Sequence, residues 1–213
     1  MSSSLIRFAS SSFRDGTAPS APGTVLTNPS SDVVLSGGNL ILTAVADAAD
    51  GANARSTTNY STGKKYFEFT TTNFAAGTSA GVCNATLTNT MATTGSVNSC
   101  VAYGGSDSTV FLYNNGLIYS MGGAPVSPPV IGIAVDIGAR LWWVTLNGTI
   151  WCGTSGASDS DGDPVSGVHG YNIASVTGNL YAVLNVPTNT VSGTVNFGAT
   201  AYAYTPPFGF GNW

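Results

Sequence analysis

The chain has 213 residues, 43% hydrophobic and only 8% charged, with six Lys and Arg against ten Asp and Glu and a net charge of −4. That length suits one domain, or one domain with an appendage, and it can enclose a substantial core. Ordinary apolar content with so little charge excludes charge-driven disorder. The lack of any basic stripe excludes the phosphate neutralisation on which nucleic-acid binding depends, and no apolar run approaches the roughly 20 residues needed to cross a bilayer.

In chain order, residues 1–25 read as an arm rich in Ser, Pro and Gly that ends in the breaker cluster Pro19-Ser20-Ala21-Pro22-Gly23. Leu5, Ile6, Phe8 and Phe13 are unusual in a plain linker. Two readings stay open for it: a disordered tail, or an arm that orders against a neighbouring subunit through those apolar side chains. Residues 1–16 lack the continuous apolar stretch of a secretory signal.

From residue 26 onward, short apolar runs alternate with turn residues. Strands are predicted over 39–45, 65–70, 110–113, 130–136, 141–146 and 180–186, each rich in β-branched or aromatic residues. Nothing sustains helical spacing between caps, so few helices are expected. Asn115-Gly116 and Asn147-Gly148 each sit between two such runs and predict type I′ hairpins, with Gly37-Gly38 as a weaker turn signal. Many short strands joined by Gly and Asn turns argue for an all-β sandwich or barrel. Within 131–135, Ile131, Ile133 and Val135 share one face, whereas Gly132 and Ala134 leave room for another layer on the other. Trp142 and Trp143 must point to opposite faces of their sheet, one into the core and one outward.

Residues able to carry chemistry are few. Glu68 is the single glutamate and has no acidic neighbour two positions away on its strand, so the carboxylate pair of a glycoside hydrolase finds no support; Asp136 is the remaining remote candidate. His169 is the single histidine and lacks a nucleophile elbow elsewhere in the chain. Asp159, Asp161 and Asp163 alternate as in calcium loops, but Pro164 and Gly170 stand where an EF-hand needs Gly and Glu. A solvated loop is the plainer reading, with weak calcium binding the alternative. Cys83, Cys100 and Cys152 lack zinc-ligand spacing and read as buried thiols, a Cys83–Cys100 disulfide being the other reading. No catalytic residue, cofactor or metal is therefore expected.

Several segments, in order, resemble the SPRY domain, a two-sheet fold similar to concanavalin A-like lectin sandwiches, in the form found in phage and bacterial proteins. SGGNLILTAVADAADGANARSTTNYSTGKKYFEFT resembles the family's opening, and SAGVCNA at 79–85 its next glycine-bearing strand. VIGIAVDIGARLWWVTLNGTIW at 130–151 resembles its most diagnostic segment, with Arg140 where Lys is usual. GNLYAVLNV at 178–186 and GTVNFGATAYAYTPPFGF at 193–210 match its closing strands, while 153–170 looks like an inserted, exposed loop. The resemblance implies an all-β, two-sheet antiparallel β-sandwich over 26–213 carried on the arm.

It further implies recognition through loops at one end of the sandwich, here 104–109, 113–117 and 153–170, with Tyr103, Asp107, Tyr113, Asn115, Trp151, Asp161 and His169 as candidate contacts. The neutral, hydroxyl-rich composition suits the exterior of a virion. The expected role is a non-enzymatic structural accessory protein of a bacteriophage-like particle, as capsid decoration, head fibre or tail fibre. It would be made in the host cytoplasm, oligomeric in the assembled particle, and attached to other particle proteins by its arm. The alternative is a module that binds a host-surface glycan or protein through the loops. Neither nucleic-acid binding nor membrane insertion is expected.

Overall fold

The computed structural model describes residues 23–27, 30–46, 52–72, 78–87, 98–104, 110–113, 117–121, 130–152, 161–186, 188–189 and 191–213. The arm contacts Leu5, Ile6, Phe8 and Phe13 lie outside them, as do Asp107, Asn115 and Asp159. Among the described residues the secondary structure is entirely β. One antiparallel sheet (sheet A) holds β1 (Leu26–Thr27), β4 (Asn53–Tyr60), β13 (Leu180–Asn185), β6 (Ser79–Cys83), β7 (Ser99–Gly104), β8 (Val110–Tyr113) and β9 (Leu117–Met121), side by side in that order. The other (sheet B) runs β12 (Tyr171–Asn172), β11 (Leu141–Thr145), β10 (Val130–Asp136), β5 (Lys64–Thr71), β14 (Ser192–Asn196), β3 (Ile41–Ala44) and β2 (Val33–Ser36). A final strand, β15 (Gly211–Asn212), pairs in parallel with Lys65 and Tyr66 of β5.

The two sheets enclose one core, and their contributions differ in size. Sheet B supplies Phe67, Phe69, Ile131, Ile133 and Trp142, whereas sheet A faces them with Ala54, Ala80, Ala102, Ala182 and Cys100 among larger residues. Large side chains from one layer thus seat on small ones of the other, which is how facing sheets reach interior packing density. Trp142 lies in this core and Trp143 on the outer face of sheet B, as the alternation of a strand requires. The same alternation puts Ile131, Ile133 and Val135 inside and Ala134 outside.

Strand β4, Asn-Ala-Arg-Ser-Thr-Thr-Asn-Tyr, carries no apolar run, and its pairing depends on a buried hydroxyl. Its partner β13 has a register shift between Tyr181 and Val183. There the Ala182 N–H donates to Ser56 Oγ at 3.0 Å rather than to a ladder carbonyl. Ser56 Oγ also accepts the Trp213 indole N–H at 3.1 Å. The Trp213 ring packs edge-on against Tyr60 and Phe67, with centroids 5.7 and 5.3 Å away. The Trp213 backbone N–H bonds to the Tyr66 carbonyl of sheet B, so this residue stitches one sheet to the other.

β8 and β9 pair antiparallel, Tyr113 with Leu117, while the turn expected at Asn115-Gly116 lies outside the described residues. The Asn147-Gly148 connection is not a two-residue type I′ turn. Val144 pairs with Cys152, leaving a longer connection, and Gly148 has φ 75° while Asn147 is not among the positive-φ residues. Side chains build this turn: Thr145 Oγ1 accepts the Gly148 N–H at 2.9 Å, and Asn147 Oδ1 accepts those of Thr149 and Ile150 at 3.0 and 2.8 Å.

Removal of the stitch should be felt globally. Trp213→Ala is expected to cost about 3–5 kcal/mol, read as a fall in the urea unfolding midpoint with the m-value unchanged.

Candidate functional site

The candidate site is built on the outer face of sheet B, where two segments cross the strands. After β14 the chain leaves the sheet, runs over this face and returns as β15. Since β10 occupies the other side of β5 over Lys64–Thr70, β15 lies in line with β14. The crossing segment is fixed by Glu68, which is 3% exposed. Glu68 Oε2 accepts the Ala203 N–H and Oε1 the Tyr204 N–H, both at 2.8 Å, and Tyr66 Oη donates to Oε1 at 2.8 Å. Tyr202 Oη adds a bond to the Tyr66 carbonyl at 3.1 Å, and Tyr204 Oη one to the Leu146 carbonyl at 2.9 Å. Gly132, opposite Glu68 on β10, makes room, because a Cβ there would lie 2.6 Å from Tyr66 Oη.

Burial and the neighbouring Glu68 carboxylate push the Tyr66 and Tyr202 hydroxyls well above the ordinary tyrosine range. Both stay protonated and able to donate. Glu68 and Asp136 lie on this same face, but their partners in the register are Gly132 and Lys64. Four residues of strand separate them, about 14 Å at ~3.4 Å per residue. That is wider than the ~5–9.5 Å of a glycosidase pair.

The second crossing segment is 161–170, the latter half of the expected insertion, and it is packed rather than free. Trp151 bridges to Gly162 and Asp163 to Val168. The Trp143 indole N–H donates to the Val168 carbonyl at 2.9 Å. A side chain at Gly170 would collide with the Trp143 ring and one at Gly162 with the Trp151 carbonyl, so these two glycines let the loop close over the sheet. Asp163 folds the tip, accepting the Val165 and Ser166 N–H groups and the Ser166 hydroxyl. Those bonds hold its exposed carboxyl below the usual range.

The two segments meet at Lys64. Its Nζ lies 3.4 Å from the Val165 carbonyl, 3.7 Å from Asp136 Oδ2 and 5.3 Å from the Phe210 ring centroid. Phe210 in turn meets Trp143 edge-on at 6.4 Å. Beneath them Tyr66, Ala134, Trp143, Trp151 and Phe210 form a second apolar cluster outside the main core. On the two crossing segments Phe208, Val165 and Val168 remain 86%, 47% and 43% exposed.

The sequence-based candidates are scattered by this topology. Trp151, 8% exposed, belongs to the second cluster and meets Tyr66 edge-on at 6.2 Å. Asp161 and His169 are exposed on the packed loop, where His169 has φ 51° and its Nδ1 faces the Asp161 carbonyl at 3.2 Å. Tyr103 lies on β7 and Tyr113 at the end of β8. The pairs Gly104–Val110 and Tyr113–Leu117, which bound the expected loops, lie at opposite ends of β8, while 105–109 and 114–116 lie outside the described residues. With Tyr202, Tyr204 and Phe210, the sequence places Phe208 at the closing edge of the sandwich; the structure instead leaves it 86% exposed, and the role of Glu68 was missed. The run Pro206-Pro207-Phe208-Gly209 was the available signal, since Pro and Gly mark a stiff turn and turns run over the surface.

The thiols are outside this site. None of the three cysteines is in a disulfide, and all are buried. Val82 pairs with Cys100 and Cys83 with Ser99, so adjacent residues carry the thiols to opposite faces of sheet A and the Cys83–Cys100 bridge cannot form. Burial pushes the Cys83 thiol up to about 12, against a smaller opposing pull from Arg55, and pushes Cys100 well above its ordinary 9.0. Among the described residues no group of three His, Cys, Asp or Glu side chains could hold a metal ion.

Two measurements follow. Glu68→Gln aims an amide NH2 at a backbone N–H and should cost about 1–3 kcal/mol in denaturant unfolding, more for a charged acceptor, with faster amide exchange at Ala203 and Tyr204. The native thiols should ignore a disulfide reagent at pH 8, and all three should react in denaturant. The raised values of Cys83 and Cys100 keep both thiols protonated in the fold, a contribution to stability fully present below pH 9. That contribution should drain away as pH rises from 9 toward 12.

No family model matches the chain, and no curated protein matches it. Solved structures do. The TRIM65 PSpry domain is 11% identical, with 81% of this chain and 88% of that one covered at a TM-score of 0.59. The SPRY domain of human HERC1 is 15% identical, with 84% and 100% covered at 0.58. At such identities the fold is what is shared. The chain is an all-β sandwich of two antiparallel sheets with the SPRY fold.

Proposed function

We propose that this chain is a non-enzymatic recognition module that works by binding other proteins. The observation that carries this reading is how the reactive side chains are used. Glu68 holds a crossing segment, Asp163 folds a loop tip, His169 Nδ1 faces a backbone carbonyl, and Cys83 and Cys100 are buried thiols held protonated. Each is occupied by folding rather than directed together into a cleft. A SPRY sandwich is also a scaffold suited to protein contacts, since its rigid sheets hold loops and crossing segments in fixed places.

The finer reading is an accessory protein on the exterior of a bacteriophage-like particle, held by residues 1–25 with the sandwich outward. Its support is compositional: Leu5, Ile6, Phe8 and Phe13 within a Ser-rich arm, and a sandwich with few charges. Size-exclusion with light scattering on the full chain and on a chain starting at Thr24 tests it. Assembly of the full chain with a monomeric truncation is the expected result. Two monomers, with no particle protein retained through residues 1–25, would remove the attachment role.

A further inference from the structure

We infer that the binding face of this module is the outer face of sheet B, centred on Phe208, and not an end of the sandwich. Its partner is a protein offering an apolar pocket for an aromatic ring, bordered by basic side chains. This rests on the recognition reading above and names the surface and the partner's chemistry.

Phe208 is 86% exposed although the segment carrying it is fixed on both sides. On one side Glu68 holds Ala203 and Tyr204 by their N–H groups. On the other Phe210 is buried against Trp143, and Trp213 is buried between the sheets. Pro206 and Pro207 stiffen the stretch between, and the Phe210 N–H closes onto the Pro207 carbonyl at 3.0 Å. A large ring held out into water by a rigid, doubly anchored turn is preorganised for a pocket, because little side-chain and loop entropy is left to lose on docking. Aromatic anchors of this kind dominate interface energetics.

Singly exposed apolar residues are ordinary; Phe208 differs in standing on a segment fixed on both sides. Phe210, two residues or about 7 Å of chain away, shares Lys64 with Val165 and Trp143 with Val168. Both valines are exposed, on the immobilised segment that meets Phe210 through Lys64 and Trp143. Its rim is acidic. Asp161 and Asp163 are exposed on the 161–170 loop; the single Lys64 beside them is shared among Asp136, Asp163, the Val165 carbonyl and the Phe210 ring, so carboxylates outnumber it. A basic border on the partner is the complement of that field.

The test is selection of a random-peptide phage library on the full chain, followed by fluorescence polarisation with the enriched peptides. Peptides combining basic with aliphatic or aromatic residues are expected. Phe208→Ser should weaken them at least tenfold with no change in the urea midpoint, since Phe208 contributes little buried area. Val165→Ser with Val168→Ser should weaken them as well. Asp161→Asn should weaken them several-fold and flatten their salt dependence. Enriched peptides that bind Phe208→Ser unchanged would overturn this surface and leave the recognition reading standing. No enrichment over an unrelated protein would overturn both. A concentration-dependent dimer abolished by Phe208→Ser would replace the proposed partner with a second copy.

Discussion

The carboxylate of Glu68 sits almost wholly out of water on the outer face of sheet B, and the architecture around it is arranged to satisfy that charge. A buried carboxylate is costly unless hydrogen bonds replace its hydration. Here two consecutive backbone N–H groups and a tyrosine hydroxyl do so. Because two of these donors belong to residues 203 and 204, meeting that constraint holds the chain after β14 against the outer face of the sheet. The crossing covers the second face of β5 and β10, whose runs Tyr66–Phe69 and Ile131–Val135 are buried throughout. It also returns the chain in line with β14, where β15 can pair and Trp213 can enter the core.

Covering both faces of one sheet has a further consequence for the 161–170 loop. Trp143 must point outward because Trp142 points inward, and a tryptophan on that face needs both an apolar cover and an acceptor for its indole N–H. The loop supplies the acceptor through Val168, and the missing side chains of Gly162 and Gly170 let it approach. Two otherwise unrelated surface segments are thereby set side by side with fixed geometry. Arg140 does similar work beside them: its guanidinium bonds the Val176 and Gly178 carbonyls and holds the loop before β13.

Sheet A is organised by a different device. Its strand β4 offers hydroxyls where an apolar strand would offer branched carbons, and Ser56 repairs the irregularity in β13 while receiving the Trp213 indole. That arrangement ties the two sheets at one edge through a polar contact inside an otherwise apolar interior. Such contacts are favourable only when every donor is met, and here both N–H groups have partners.

Much of the fold was written in local pattern. The runs at 65–70, 110–113, 130–136, 141–146 and 180–186 carry strand periodicity strongly enough that tertiary context did not override them. The opposite orientations of Trp142 and Trp143 followed from backbone geometry alone. The polar β4 was invisible to pattern because its stability comes from Ser56 meeting donors more than a hundred residues away. The Asn147-Gly148 turn was misread because Thr145 and Asn147 side chains took over the backbone's hydrogen bonds. The candidate contacts were the least legible part. Spacing along a chain cannot tell which end of a strand a loop reaches, so 104–109 and 113–117 were grouped although β8 separates them. The sequence by itself determined the all-β layering, because side-chain alternation and turn chemistry are local. Only the tertiary structure decided that Glu68 is an anchor, that 161–170 is a packed cover and that Phe208 stands exposed between two fixed points, because each depends on which distant segment is brought to that face.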